Sequence, residues 1–162
     1  MIHMLIGIQG SGKTTFALDL CKELNCEIVS TDNVRKLGVE EKEVWNVVYQ
    51  KCADVLNNNN DAIFDATNIT PKVRKRFFDE IIKLGATPKV GAYYFVTDVQ
   101  VCYERVKVRN TIEGELYLPE EVVYSYHERL IEPSFEEGFE FIKKVSDGKV
   151  VEEKYYEEKY NN

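Results

Sequence analysis

Gly7-Ile8-Gln9-Gly10-Ser11-Gly12-Lys13-Thr14 is the stretch that decides the fold. It satisfies G-x-x-x-x-G-K-[ST] at every fixed position, and its flanks supply the context that the pattern demands. Ile2–Gly7 is an apolar run of strand character, and Lys13–Leu24 sets Phe16, Leu20 and Leu24 at helical spacing. A strand that curls through glycines into a helix points successive backbone N–H groups inward, and the helix adds the positive end of its dipole. Such a loop cradles phosphate oxygens. Gly10, Ser11 and Gly12 would supply the amides, Lys13 would reach the β- and γ-phosphates, and the Thr14 hydroxyl would ligate Mg²⁺. ATP with Mg²⁺ is the expected ligand.

Working outward, Glu27–Ser30 reads as a second strand and Val39–Leu56 as a helix ended by the Asn57–Asn60 tract. Ala62–Asp65 is a short buried strand. Thr70 and Pro71 then open a helix as cap and first residue, with Val73, Phe77, Ile81 and Leu84 on one face and Gly85 just past its end. Val90–Val96 is a fourth strand, and Asp98 caps the helix that follows. Asn110–Leu118 breaks the helical pattern as a loop before Pro119 starts a further helix. Phe141–Val145 is the last expected strand, followed by a tight turn at Asp147–Gly148. Strands alternating with helices imply right-handed crossovers and a parallel sheet. The expected fold is α/β, of the P-loop NTPase type: a five-stranded parallel sheet sandwiched by helices, with a helical lid. One domain spans residues 1–151, and 152–162 reads as a frayed tail.

Composition agrees with a soluble globular domain: 162 residues, 44% hydrophobic and 30% charged. No apolar run approaches the roughly 18 residues of a membrane span. The first residues lack a basic lead-in and a small-residue cleavage site, so they read as a strand and not a leader. Cys21, Cys26, Cys52 and Cys102 form no CxxC and have no histidine partners at metal-ligand spacing, which predicts reduced thiols in a cytoplasmic protein. His3 and His127 stand alone, and Trp45 and the ten tyrosines read as packing. The net charge of −7 is unevenly placed. Residues 71–109 carry nine Lys and Arg against four Asp and Glu, while 113–162 carry six against fourteen. A basic centre between acidic flanks permits a short anionic substrate and gives no support for binding extended DNA.

Ser30-Thr31-Asp32-Asn33-Val34-Arg35 follows the second strand, at the carboxyl end where open α/β sheets bind ligands. Two readings stand for it. Asp32 could take the proton of an attacking hydroxyl while Arg35 grips an anionic group of the acceptor. Alternatively Asp32 caps a short helix and pairs with Arg35 at i, i+3.

The phosphate loop, this S-T-D-x-x-R segment and the turn Asp65-Ala66-Thr67-Asn68 occur in an order that resembles the kinase domain of polynucleotide 5′-hydroxyl kinases and small kinases related to them. Arg109-Asn110, Leu118-Pro119, Glu132-Pro133 and Glu137-Gly138-Phe139 extend the resemblance over nearly the whole chain, from about Met1 to Val145. It implies that Asp32 is the general base and that Arg35 holds an acceptor phosphate. Asp65 becomes a Walker-B-like carboxylate beside the metal, with Thr67 and Asn68 lining the substrate site. Arg105 and Arg109 share a face of the helix entering the lid, where the family places an arginine on the transferring phosphoryl group. Phage-type relatives carry another arginine soon after the Arg-Asn pair, whereas this sequence has Glu113 and no arginine until Arg129. With both arginines beside the nucleotide, the catalytic role then falls to Arg109, or to Arg105, or the lid functions differently.

Lys72, Arg74, Lys75 and Arg76 crowd the first turns of a helix, where cations oppose the dipole. They form either a solvated face or an acceptor-phosphate grip. The sequence as a whole reads as an ATP-dependent kinase acting on the 5′ end of a nucleic acid or on a 3′-phosphorylated nucleotide. The alternatives are a kinase of a small alcohol, nucleoside or sugar, and an NTP-dependent switch or binding module. No N-K-x-D element marks a guanine-specific GTPase.

Overall fold

The computed structural model describes residues 1–157. Ile2–Ile6 (β1) is buried along its whole length, because helices cover both faces of the sheet at this strand. Around it run Glu27–Ser30 (β2), Ala62–Asp65 (β3), Val90–Phe95 (β4), Phe141–Ser146 (β5) and Lys149–Tyr155 (β6), in the order β2-β3-β1-β4-β5-β6. Ile2 faces Ala62 of β3 on one side and Val90 of β4 on the other, both in parallel pairing. The helices are Lys13–Leu24 (α1), Thr31–Lys36 (α2), Val44–Asn57 (α3), Pro71–Lys83 (α4), Val99–Arg109 (α5) and Glu120–Arg129 (α6).

Alternation along the strands sorts two cores. Met4, Phe64 and Ala92 pack against Val48 and Cys52 of α3 and Phe77 and Ile81 of α4. Leu5, Ile63 and Tyr93 pack against Ala17 and Leu20 of α1 on the opposite face. Phe64 stacks on Phe77 with ring centroids 5.0 Å apart. Each such side chain, once removed from water, contributes about 1.5–3 kcal/mol. A third cluster of Ile8, Ile69, Cys102, Val106 and Val123 seats α5 and α6, the helices of the expected lid, against the loop that follows β1.

The sheet has six strands, not five. β6 pairs antiparallel with β5 through the Asp147–Gly148 turn, where both residues take positive φ, 49° and 73°. That geometry matches the right-handed twist of a hairpin. Residues 152–155, expected in a frayed tail, are strand; of that tail, 158–162 lie outside the described residues. The helix expected over Val39–Leu56 begins later, after a 3-10 turn at Glu41–Glu43, because Gly38 at φ 80° separates it from α2. No helix among the described residues is long and apolar enough to cross a membrane.

Candidate active site

The carboxyl ends of β1, β2 and β3 bring together the phosphate loop, the Asp32 segment and Asp65. The loop's shape depends on two glycines. Gly10 takes φ 77° with its Cα against the Cys102 carbonyl, which an added Cβ would strike. Gly12 takes φ 94° as the residue before α1, so its backbone turns the following amides inward. Side chains and backbone pin the loop from outside. Thr97 Oγ1 donates to the Ser11 carbonyl at 3.0 Å, Arg105 Nη1 donates to the Gly10 carbonyl at 3.0 Å, and Gly7 N donates to the Thr67 carbonyl at 3.0 Å.

Lys13 is buried inside this loop, and its Nζ donates to the Ile8 carbonyl at 2.8 Å. Burial pushes its ammonium down to about 8, against the pull of Asp65 and with a further push from Arg109. Asp65 is raised above the ordinary carboxylate range by burial, although Lys13 and a hydrogen bond from Thr14 oppose the rise. Thr14 Oγ1 donates to Asp65 Oδ2 at 3.2 Å. A buried cation and a half-buried carboxylate, each shifted toward neutrality and coupled electrostatically, are characteristic of ligand sites.

The residues fit a phosphate group. The Ser11 hydroxyl is buried with no hydrogen-bond partner, in a loop whose curvature leaves no room for side chains at Gly10. A cavity of about 430 Å³ opens over Gly10–Gly12 and runs between Phe16 and Asp19 of α1, the arginines Arg105 and Arg109, and the Asp147–Gly148 turn. That volume suits a small organic ligand. For a metal the protein offers one hydroxyl and one carboxylate, Thr14 and Asp65. No group of three or more His, Cys, Asp or Glu that could hold a metal occurs among the described residues. Magnesium accepts such a sparse set, since phosphate and water oxygens commonly complete its shell.

After β2, Ser30 and not Asp32 caps α2: its Oγ accepts from Asn33 N at 3.0 Å. Asp32 is exposed, its side chain 83% accessible, and its only side-chain partner among the described residues is Arg35, whose Nη1 donates to Oδ1 at 3.1 Å. The rest of the Arg35 guanidinium is engaged by Glu41, with Nε and Nη2 donating at 3.0 Å and the Glu41 carboxyl held below its usual range. Both Asp32 and Arg109 lie within electrostatic reach of Lys13 and Asp65. The Arg109 side chain is exposed and makes no hydrogen bond or ion pair among the described residues.

Asn68, expected among the substrate-site residues, is buried within the turn, and its Oδ1 has no partner among the described residues. It is 1% exposed, sits at φ 48°, and its Nδ2 donates to the Leu5 carbonyl at 2.9 Å, so it shapes the turn from within. Thr67 stays at the rim, its carbonyl holding Gly7. The basic cluster of α4 also divides. Arg74 is fully buried on Glu137, while Lys75 pairs with Asp79 at the surface. Asn110 has a role that the sequence did not assign: its Nδ2 donates to the Leu118 carbonyl and its Oδ1 accepts from Leu118 N, both at 2.9 Å, closing the loop between α5 and α6. The Arg-Asn dipeptide was the available signal. Thr97 and Glu41 left none.

Residues 2–133 match the family described as AAA domain. The chain belongs to that family. No curated protein sequence matches this AAA-domain chain significantly. Solved structures share its fold at low identity. A candidate kinase from Chloroflexus aurantiacus J-10-fl superposes with TM-score 0.71 at 18% identity, covering 91% of this chain and 85% of its own. A fungal RNA kinase gives 0.66 at 18% identity over 93% of this chain, which spans 38% of that protein. Kti12 of Chaetomium thermophilum, in complex with ADP-AlF3, gives 0.64 at 17% identity over 91% of this chain and 89% of its own. Family and fold together make this AAA-domain chain a nucleotide-binding P-loop protein of kinase-like fold, as the expected resemblance held.

Proposed function

We propose that this chain is a cytoplasmic ATP-dependent phosphotransferase that moves the γ-phosphate to an alcohol. Its acceptor is the 5′-hydroxyl of a short nucleic-acid end or of a 3′-phosphorylated nucleotide. The observation that carries the reading is the freedom of Asp32. Ser30 already caps α2, so the exposed Asp32 carboxylate has no structural duty beyond Arg35, yet it lies within electrostatic reach of Lys13 and Asp65.

In this scheme Asp32 accepts the hydroxyl proton at a carboxylate oxygen as the hydroxyl oxygen attacks the γ-phosphorus, and the bond to the β–γ bridging oxygen breaks to release ADP. Lys13, the loop amides and Arg109 hold the phosphoryl oxygens as charge spreads over them, and Arg105 keeps the loop in shape from Gly10. Thr14 and Asp65 would hold Mg²⁺, which supplies positive charge against the β- and γ-phosphates. Arg35 would grip an acceptor phosphate, and Thr67 would line the substrate site. Two structural neighbours, the fungal RNA kinase and Kti12 in complex with ADP-AlF3, support a nucleotide donor and a nucleic-acid acceptor.

One observation favours a second reading. Arg35 is bonded to both Asp32 and Glu41, which leaves little of it for a phosphate unless Glu41 lets go. A small uncharged alcohol would need no such release. Transfer of radiolabelled γ-phosphate to a panel of acceptors decides between them: 5′-hydroxyl oligonucleotides, 3′-phosphorylated nucleotides, nucleosides and sugars. Label on the 5′-hydroxyl acceptors is the expected result. Nucleotide binding without transfer to any alcohol would leave only a switch or binding module.

A further inference from the structure

Arg74 is the bulkiest fully buried side chain among the described residues, at 0% exposure. It lies in the first turn of α4, where the helix dipole disfavours a cation. Neither a solvated face nor a phosphate grip explains a guanidinium with no exposed surface. Its donors go to three separate pieces of chain. Nε and Nη2 hold the Glu137 carboxylate as a fork, at 2.7 and 3.1 Å. Nη1 donates to the Asn68 carbonyl at 2.9 Å and to the Ile131 carbonyl at 3.1 Å.

Those pieces lead to the two halves of the site. Asn68 closes the turn that starts at Asp65, and that turn is bonded to the phosphate loop twice, by Thr14 to Asp65 and by Gly7 to Thr67. Ile131 is the second residue beyond α6, where the chain leaves the lid, and its N–H donates to the Ile69 carbonyl at 2.8 Å. Glu137 in turn accepts from Ser134 N at 2.9 Å, fixing the 3-10 turn that follows.

We propose that Arg74 is a positioning residue that registers the Asp65–Asn68 turn against the chain leaving the lid, so that filling the phosphate loop tightens residues 131–137. The inference rests on the nucleotide-binding half of the reading above and not on the acceptor. Only a planar guanidinium can serve a bidentate carboxylate and two carbonyls at once; a lysine ammonium in its place reaches part of that set.

Hydrogen exchange with and without Mg·ADP tests it. In the parent, Mg·ADP should slow exchange of the phosphate-loop amides and also slow exchange across 131–137, the latter by at least about fivefold, the lower end of ordinary site-to-site coupling. Arg74→Lys should keep the first protection and lose the second, with kcat reduced and the KM for ATP unchanged. If Arg74→Lys does not fold, Glu137→Gln, which weakens the fork and spares the arginine, is read the same way. A parent without protection at 131–137 overturns the proposal, as does a folded variant that keeps it along with full kcat. Exchange needs no acceptor, so failure to phosphorylate any alcohol would sink the phosphotransferase reading and leave this one standing.

Discussion

Lys13 is bonded to the Ile8 carbonyl of its own loop, 2.8 Å away, and carries a proton that burial has loosened to about 8. A polyphosphate would offer that ammonium far better partners and would restore its affinity for the proton. Nucleotide binding measured calorimetrically near pH 8.5, in two buffers of different ionisation enthalpy, should therefore show net proton uptake, and affinity should fall as pH rises past 8. The stability effect has the opposite sense. A lysine whose folded value lies below its unfolded one is a burden that is full below pH 8 and lifts between 8 and the ordinary lysine value of 10.5.

Lys13→Ala should accordingly abolish productive nucleotide binding and leave the fold intact. Removing a desolvated cation relieves strain in the empty loop, so its Tm at pH 7 should not fall. Normal ATP-dependent transfer by a folded Lys13→Ala protein would refute the role of the loop.

Asp32→Asn should bind Mg·ATP like the parent and transfer phosphate about 10²–10⁴-fold more slowly. Stability offers a control that the structure supplies. Because Ser30 is the cap, Ser30→Ala should cost about 1 kcal/mol, while Asp32→Asn, at an exposed position, should leave Tm nearly unchanged. A Tm loss with full turnover in Asp32→Asn would return that residue to a purely structural role.

Much of this was legible from the chain, for a local reason. The phosphate loop, the Thr70 cap with Pro71, and the Asp98 cap depend on contacts a few residues apart, and each forms where its residue types direct. What escaped depends on distant partners. Arg74 looks like a surface cation until Glu137, 63 residues later, neutralises it in the interior. Lys149–Tyr155 has no alternating apolar face and is exposed throughout, so nothing marks it as strand except the Asp-Gly turn and the edge of β5 waiting beside it. Asn68 resembled a site residue by motif; the turn also needed a residue tolerant of positive φ, and its amide went to the backbone of β1.

Arg109→Ala should slow the chemical step more than it weakens nucleotide binding. A phosphoryl-contacting arginine is worth roughly 10³–10⁵-fold in rate, and Arg109 is the lid arginine whose side chain makes no hydrogen bond or ion pair among the described residues. Arg105→Ala should act differently: it removes the Gly10 tether and should raise the KM for ATP with a smaller effect on kcat. Single-turnover kinetics separate the two. Equal, small effects from both substitutions would mean that the lid does not touch the transferring group.

The Arg35–Glu41 ion pair offers a test of the acceptor. If Arg35 grips an acceptor phosphate, it must first leave Glu41, so Glu41→Gln should lower the KM for a 5′-hydroxyl oligonucleotide, and Arg35→Ala should raise it. Neither change should move the KM for ATP. One to three phosphates gripped near the reacting end would give a log–log salt slope of roughly −1 to −2, at about −0.7 for each phosphate on a single strand. Arg35→Ala should flatten that slope by somewhat under one unit. A small-alcohol kinase behaves otherwise: Glu41→Gln leaves acceptor KM alone, and adding a 3′-phosphate to the acceptor makes little difference. Brisk turnover of an uncharged alcohol, with none on 5′-hydroxyl oligonucleotides, would select that second reading and make the Arg35–Glu41 pair a fixture of the fold.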